Sequence, residues 1–352
     1  MAGLRKAVIR VGFETLYYSG VHRLARRFLA GRGAILTFHR VIPASERPFQ
    51  PNRLLEITPE FLDEVLTAIR AADIEIVDLD EAARRVASPD PERRFVALTF
   101  DDGYRDTREV ALPILAKHAA PMTMYVPSAF ADGRGELWWL ILEEAIARFA
   151  EIEVGIDGAD RVFDCATPEA KQATFDALYA WVRSRPTWAE SMTTIREIAF
   201  GYGIDAGRQC RSLCMDWDEI AEMAKHPLVT IGAHTVTHPV LSRLGEDEVR
   251  GEMAGGVAAI AARLGERPRH FSYPVGGPDS AGPREFALAA DLGFQTAVTT
   301  RPGVLHDAHA GHLTALPRLS VNGEFQRLRY LDVLLSGAPT ALMNGFRRVD
   351  AA

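Results

Sequence analysis

The chain has 352 residues, 47% of them apolar and 25% charged, the composition of a globular chain with a large core. Its net charge of −7 argues against nucleic acid as the main partner, and three cysteines (Cys165, Cys210 and Cys214) make no disulfide framework, which favours a reducing compartment. No apolar run reaches the length of roughly 18 residues that a membrane-spanning helix needs.

Residues 1–32 carry Arg5, Lys6, Arg10, Arg23, Arg26, Arg27 and Arg32 against Glu14 alone. Charged residues interrupt the apolar ones, so a secretory signal is not expected and a cytoplasmic location is. We read a basic N-terminal helix here. It either rests on the inner face of a membrane, as a peripheral contact through residues 1–32, or docks on the domain with its basic face in water.

Short β-rich runs then alternate with helical patterns. The runs are Ala34–Phe38, Ile74–Leu79, Phe95–Phe100, Met122–Val126, Leu228–Gly232, Arg269–Tyr273, Phe294–Thr299 and Leu319–Val321. Thr58-Pro59-Glu60 opens one of the helices between them. Alternation of this kind predicts a parallel sheet. His39, the pair Asp101 and Asp102, His234, Pro274 and Arg301 follow five different runs, and many separated strand ends bearing reactive side chains favour a closed barrel over an open sheet. Residues 131–226 break the repeat and hold every tryptophan (Trp138, Trp139, Trp181, Trp188 and Trp217); they are expected to form a mostly helical insertion with a polar passage around 157–167. The resulting division is a helix at 1–32, a barrel at 33–325 carrying the insertion, and a C-terminal helix and tail at 326–352.

Two segments carry chemistry. In Thr99-Phe100-Asp101-Asp102-Gly103-Tyr104, adjacent carboxylates end an apolar run before a turn. In His234-Thr235-Val236-Thr237-His238, two imidazoles lie four apart, and the β-branched residues between them favour a loop over a helix. Imidazoles suit a divalent ion such as zinc, and a carboxylate from another strand end would complete a three-ligand site with open positions.

On these residues the chain resembles the polysaccharide deacetylases with a NodB homology domain, carbohydrate esterase family four. The three motifs of that family read here as TFDDGY at 99–104, HTVTH at 234–238 and FSYPVGG at 271–277. The resemblance implies a distorted seven-stranded (β/α)7-type α/β barrel. It also implies a metal-dependent hydrolase that removes N-acetyl groups from amino sugars in a poly- or oligosaccharide, such as a chito-oligosaccharide or a surface-polysaccharide precursor. Asp101 would be the catalytic base. Asp102, His234 and His238 would bind zinc, cobalt or another divalent ion. The Tyr273–Gly276 turn of the third motif offers a backbone N–H for the oxyanion, assigned to Val275. Tyr104, Tyr273 and Pro274 are expected beside the substrate, and Trp138 and Trp139 as a stacking surface for sugar.

Two departures shape further expectations. Family members carry Arg-x-Pro-Tyr in the third motif, where this chain has Ser272-Tyr273-Pro274-Val275; Arg318 is expected to supply the missing guanidinium to Asp101. The usual late Leu-x-His is unclear, since His306, His309 and His312 lie in a Gly/Ala/Asp-rich loop. His39 is therefore expected to be the general acid, on the side of the site away from Asp101, as in the element that opens biofilm-polysaccharide deacetylases. Other readings are a hydrolase of another amide or a cyclic imide, and a weakly catalytic carbohydrate-binding assembly protein.

Overall fold

A computed structural model describes residues 2–90 and 93–351. Met1, Pro91, Glu92 and Ala352 lie outside the described residues, and with them the outermost residues of the expected N-terminal helix and C-terminal tail. The barrel strands are β1 (Gly33–Phe38), β2 (Phe95–Phe100), β3 (Met122–Val126), β4 (Val229–Ala233), β5 (His270–Ser272), β6 (Thr296–Pro302) and β7 (Leu316–Ser320). Each pairs in parallel with the next in chain order, and β7 returns to β1 to close the seven-stranded barrel.

Closure is uneven. The β1–β2 ladder runs from Gly33↔Phe95 to Phe38↔Phe100, whereas β4 and β5 share only Ala233↔Phe271 and β7 meets β1 only at Leu36↔Leu319 and Thr37↔Ser320. Parallel strands covered on both faces read as unbroken apolar runs, and β1, β2 and β3 are buried along their whole length. Side chains alternate between the two faces. Ile35, Ala97, Tyr125 and Leu316 pack together inside, while Leu36, Leu98 and Met124 join the helices outside.

The run expected at Ile74–Leu79 is no barrel strand. Its central residues, Glu75–Val77, pair with the first half of β2, while β3 takes the second half. Asp78 then caps a helix, its carboxylate accepting the Glu81 N–H at 2.8 Å, so Leu79 is already helical.

Between β3 and β4 the insertion builds its own apolar core around Trp138, Trp139, Leu142, Phe175 and Ile195. It is not purely helical. Glu151–Ile156 and Ala159–Asp164 form an antiparallel hairpin where a polar passage was expected, closed by Asp157 and Gly158, both at positive φ. That dipeptide suits the tight turn whose twist matches a two-residue hairpin.

The N-terminal segment is two helices rather than one. Ala2–Tyr18 and Val21–Leu29 are separated at Gly20, whose φ is +71°. Both dock on the helix Leu328–Leu335: Phe13 stacks on Tyr330 at 5.1 Å, and buried His22 lies 3.0 Å from Asp332. At the other terminus Asp350 accepts from Arg301, so Arg301 is held in the core and not in the barrel mouth.

Helix Glu246–Leu264 runs beneath the loop that leaves β4, and a Cβ on Gly256 would stand 2.6 Å from the Thr235 carbonyl oxygen. Gly256→Val is therefore expected to lower stability by about 1–3 kcal/mol, seen as a lower urea midpoint at unchanged slope. Gly251→Ala in the same helix, where a Cβ meets nothing within 4 Å, is expected to be neutral or stabilising.

Candidate active site

The C-terminal ends of the strands open into a cavity of about 260 Å³, walled on one side by the insertion. His39, Asp101, Asp102, Trp138, Trp139, His234, His238 and Val275 all line it. Four non-glycine residues at this mouth sit in the left-handed region: Asp102 (φ +70°), Thr235 (+65°), His238 (+61°) and Val275 (+61°). Each such residue stores of order 1–3 kcal/mol, so its surroundings must hold it. Around the histidines the anchor is Glu252, whose carboxylate accepts the Val236 and Thr237 N–H groups at 2.9 Å each and the Thr237 hydroxyl at 2.7 Å. The Thr235 hydroxyl accepts the His238 N–H at 3.0 Å.

Asp102, His234 and His238 converge on one point. The Nε2 atoms of His234 and His238 lie 3.6 and 3.4 Å from Asp102 Oδ1, and one ligand atom from each residue falls within 4.8 Å of the others. His234 Nδ1 is hydrogen-bonded to the Ser272 carbonyl at 2.6 Å, so it carries the proton and leaves a lone pair on Nε2. Burial pushes the His238 imidazole down to about 4, and it is neutral at pH 7. Burial alone would raise the Asp102 carboxyl; the facing imidazoles reverse this and leave it below its ordinary value. Asp102 Oδ1 is buried with no hydrogen-bond partner. An orphaned carboxylate oxygen between two imidazole nitrogens is the donor set a divalent ion takes.

Asp101 faces a different partner. Arg318 forks onto it, Nη1 to Oδ1 at 2.9 Å and Nη2 to Oδ2 at 2.7 Å. The guanidinium also donates to the Thr299 carbonyl and to the Thr99 and Ser272 hydroxyls, so every N–H has an acceptor. Burial pushes the Asp101 carboxyl up, but Arg318 overrides it and holds the group well below the usual carboxylate range.

His39 reaches the cavity but not the expected side. Its Nε2 stands 3.9 Å from Asp101 Oδ2, so it leans toward Asp101 and not away from it. It follows β1, which is paired along its full length with β2, the strand that leads into Asp101, and that adjacency sets the side. His306, His309 and His312 are remote, in the loop beyond Leu305, which pairs with Gly33 at the opposite end of β1. Val275 has its carbonyl fixed by the Thr300 hydroxyl at 2.6 Å, while its N–H donates to no acceptor among the described residues.

Three expected substrate neighbours are packing residues instead. Tyr104 is fully buried under the insertion and accepts the Trp139 indole N–H at 3.2 Å. Tyr273 points to the helix side, its hydroxyl donating to the Thr314 carbonyl at 2.7 Å, because its neighbour Ser272 takes the inward direction. Pro274 is buried and does not line the cavity. Trp138 and Trp139 are both core and wall: they are 2% and 5% exposed, and the Trp139 ring lies 5.2 Å from that of His238. Thr37, Asn52, Leu54, Leu55, Tyr179, Arg183, Thr300 and Ser320 complete the lining without any local signal in the sequence.

The family model for polysaccharide deacetylase matches residues 88–155 and 161–297. No curated protein matches the sequence. Among solved structures, a Streptococcus pyogenes deacetylase, PplD, in complex with acetate superposes with a TM-score of 0.57 at 18% identity, over 86% of this chain and 97% of that one. IcaB from Ammonifex degensii gives 0.55 at 19%, over 87% and 97%. The deacetylase domain of BpsB from Bordetella bronchiseptica gives 0.50 at 17%, over 82% and 95%. These likenesses show the barrel fold.

An Asp whose folded value is depressed contributes stability that is complete above its unfolded value, near pH 4, and fades as pH falls through the folded one. Arg318→Met is therefore expected to cost about 3–5 kcal/mol at pH 7, the range for breaking a buried pair. The gap from wild type should narrow at pH 3. Urea unfolding at both pH values measures it.

Proposed function

The chain belongs to the polysaccharide deacetylase family, and we propose that it is a metal-dependent hydrolase that removes N-acetyl groups from amino sugars in a poly- or oligosaccharide. The observation that carries this reading is the placing of two adjacent carboxylates in different roles: Asp101 on a guanidinium, Asp102 between two imidazoles.

Asp102, His234 and His238 would hold the ion, zinc or cobalt by the donor set, and the bound ion supplies Lewis acidity to the amide carbonyl and acidifies a water. Asp101, kept ionised by Arg318, takes the proton of the attacking water. The water oxygen bonds to the acetyl carbon, and the carbonyl oxygen becomes negative beside the Val275 N–H. His39 then protonates the departing nitrogen as the C–N bond breaks, leaving acetate and a free amine. The Trp138 and Trp139 faces give the acetyl and sugar CH groups an apolar wall.

Acetate release from N-acetylglucosamine oligomers, with zinc or cobalt supplied to chelator-treated protein, tests this reading. Turnover is expected only after metal addition; full turnover in chelator would overturn it. Asp101→Asn should retain the metal while losing at least about a hundredfold in rate, and His238→Ala should lose metal and turnover together, read by metal analysis alongside kinetics.

A further inference from the structure

A second cavity, of about 410 Å³, lies where the helix Ala2–Tyr18, the helices Leu328–Leu335 and Ala338–Met343 and the end of β7 meet. Its walls are apolar, formed by residues such as Ile9, Phe13, Leu16, Phe325, Leu334 and Met343. Ser320, the last residue of β7, lines both this groove and the catalytic cavity, so the two open side by side at the same end of the barrel.

The two N-terminal helices, of which the first walls the groove, also present an uncovered face. Val8, Val11 and Tyr18 are exposed on the first helix, and Val21, Leu24 (67% exposed) and Phe28 (76%) on the second. The spacing 21, 24, 28 makes one stripe of that second helix. Beside it stand Arg23 and Arg27, and Arg10 stands on the first helix; all three are exposed and form no ion pair among the described residues. Single exposed apolar residues are ordinary, but a stripe on a short helix flanked by free arginines, in a chain of net charge −7, matches the surface of an anionic bilayer.

We propose that the N-terminal helices rest on an anionic membrane surface and that the groove takes the hydrocarbon tail of a lipid-linked amino sugar, whose sugar end enters the catalytic cavity. This rests on the deacetylase reading and names its substrate class. The sharing of Ser320 selects a tail continuous with the substrate over an unrelated lipid or a second copy of the chain.

Gly12 gives a clean test, because it lines the groove and a Cβ there meets no atom within 4 Å. Gly12→Leu fills the groove while favouring the helix. Calorimetric binding of octyl and methyl N-acetylglucosaminide, below the micelle concentration, is expected to show at least about a tenfold preference for octyl in wild type. Gly12→Leu should abolish that preference without weakening the methyl compound. Co-sedimentation with phosphatidylcholine vesicles should require added phosphatidylglycerol and be lost in the double variant Leu24→Glu/Phe28→Glu. Equal binding of the two glycosides, or a preference that survives Gly12→Leu, overturns the proposal. So does a dimer, seen by light scattering, that Gly12→Leu splits, since a second copy would then be the occupant. An octyl preference in metal-loaded protein that releases acetate neither from these glycosides nor from N-acetylglucosamine oligomers would instead support the groove and sink the deacetylase reading.

Discussion

A guanidinium with no water around it needs an acceptor for each of its five N–H groups, and Arg318 finds them on strands far apart in sequence. It stands on β7 and reaches Thr99 and Asp101 at the end of β2, Ser272 on β5 and the Thr299 carbonyl on β6. Moving β7 by one residue would turn Arg318 out toward the helices and leave Asp101 buried and unpaired. The ladder does not fix that register by itself, because the β6–β7 pairing is irregular between Val298 and Pro302 and β7 meets β1 at only two positions. Taking the two charges out of water offsets most of their attraction, so the pair does more to specify closure than to stabilise it.

With that register set, the strand ends fall where the chemistry needs them, and the loops supply the rest under strain. The left-handed residues Asp102, His238 and Val275 aim their groups into one cavity only while Glu252, the hydroxyl of left-handed Thr235 and the Thr300 hydroxyl hold the loops. Groups fixed in this way need little reorganisation when charge develops near them. The insertion adds the wall: Arg183 on its helix Pro168–Ser184 donates to Asp279 at 2.5 Å in the loop after β5, and Trp139 packs on His238.

The barrel was legible because parallel strands buried on both faces leave apolar runs; β2 and β3 fall on the runs read for them, and the other barrel strands differ at their ends. Arg318 was legible for a different reason: the third motif lacks an arginine, and Arg318 adjoins a late apolar run that could bring one back to Asp101. What the sequence concealed is side-chain direction and distant anchoring. Tyr104, Tyr273 and Pro274 adjoin motif residues but face elsewhere, and adjacency in a motif says nothing of which way a side chain points. Glu252 sits on a helix well downstream of the loop it holds, where an exposed-looking acid gives no sign of its role. The hairpin at 151–164 hid behind the polar Asp157-Gly158 turn, although Ile152, Val154 and Ile156 alternate as a strand should.

Ser272 explains how Asp101 keeps its guanidinium although the third motif lacks an arginine. It stands where the resembled family's Arg-x-Pro-Tyr run would place that residue, and its hydroxyl accepts from Arg318 Nη2 at 3.0 Å. Two guanidiniums against one buried carboxylate would leave an unpaired charge in the barrel. With the arginine on β7, the β5 position therefore has to be small and has to accept a hydrogen bond, and serine meets both conditions. The substitution works because strand ends in a closed barrel converge on one interior, so a group can move from one strand to another without leaving the atom it serves. The physical requirement is a forked cation on Asp101; which strand carries it is free, provided the vacated position is filled by an acceptor.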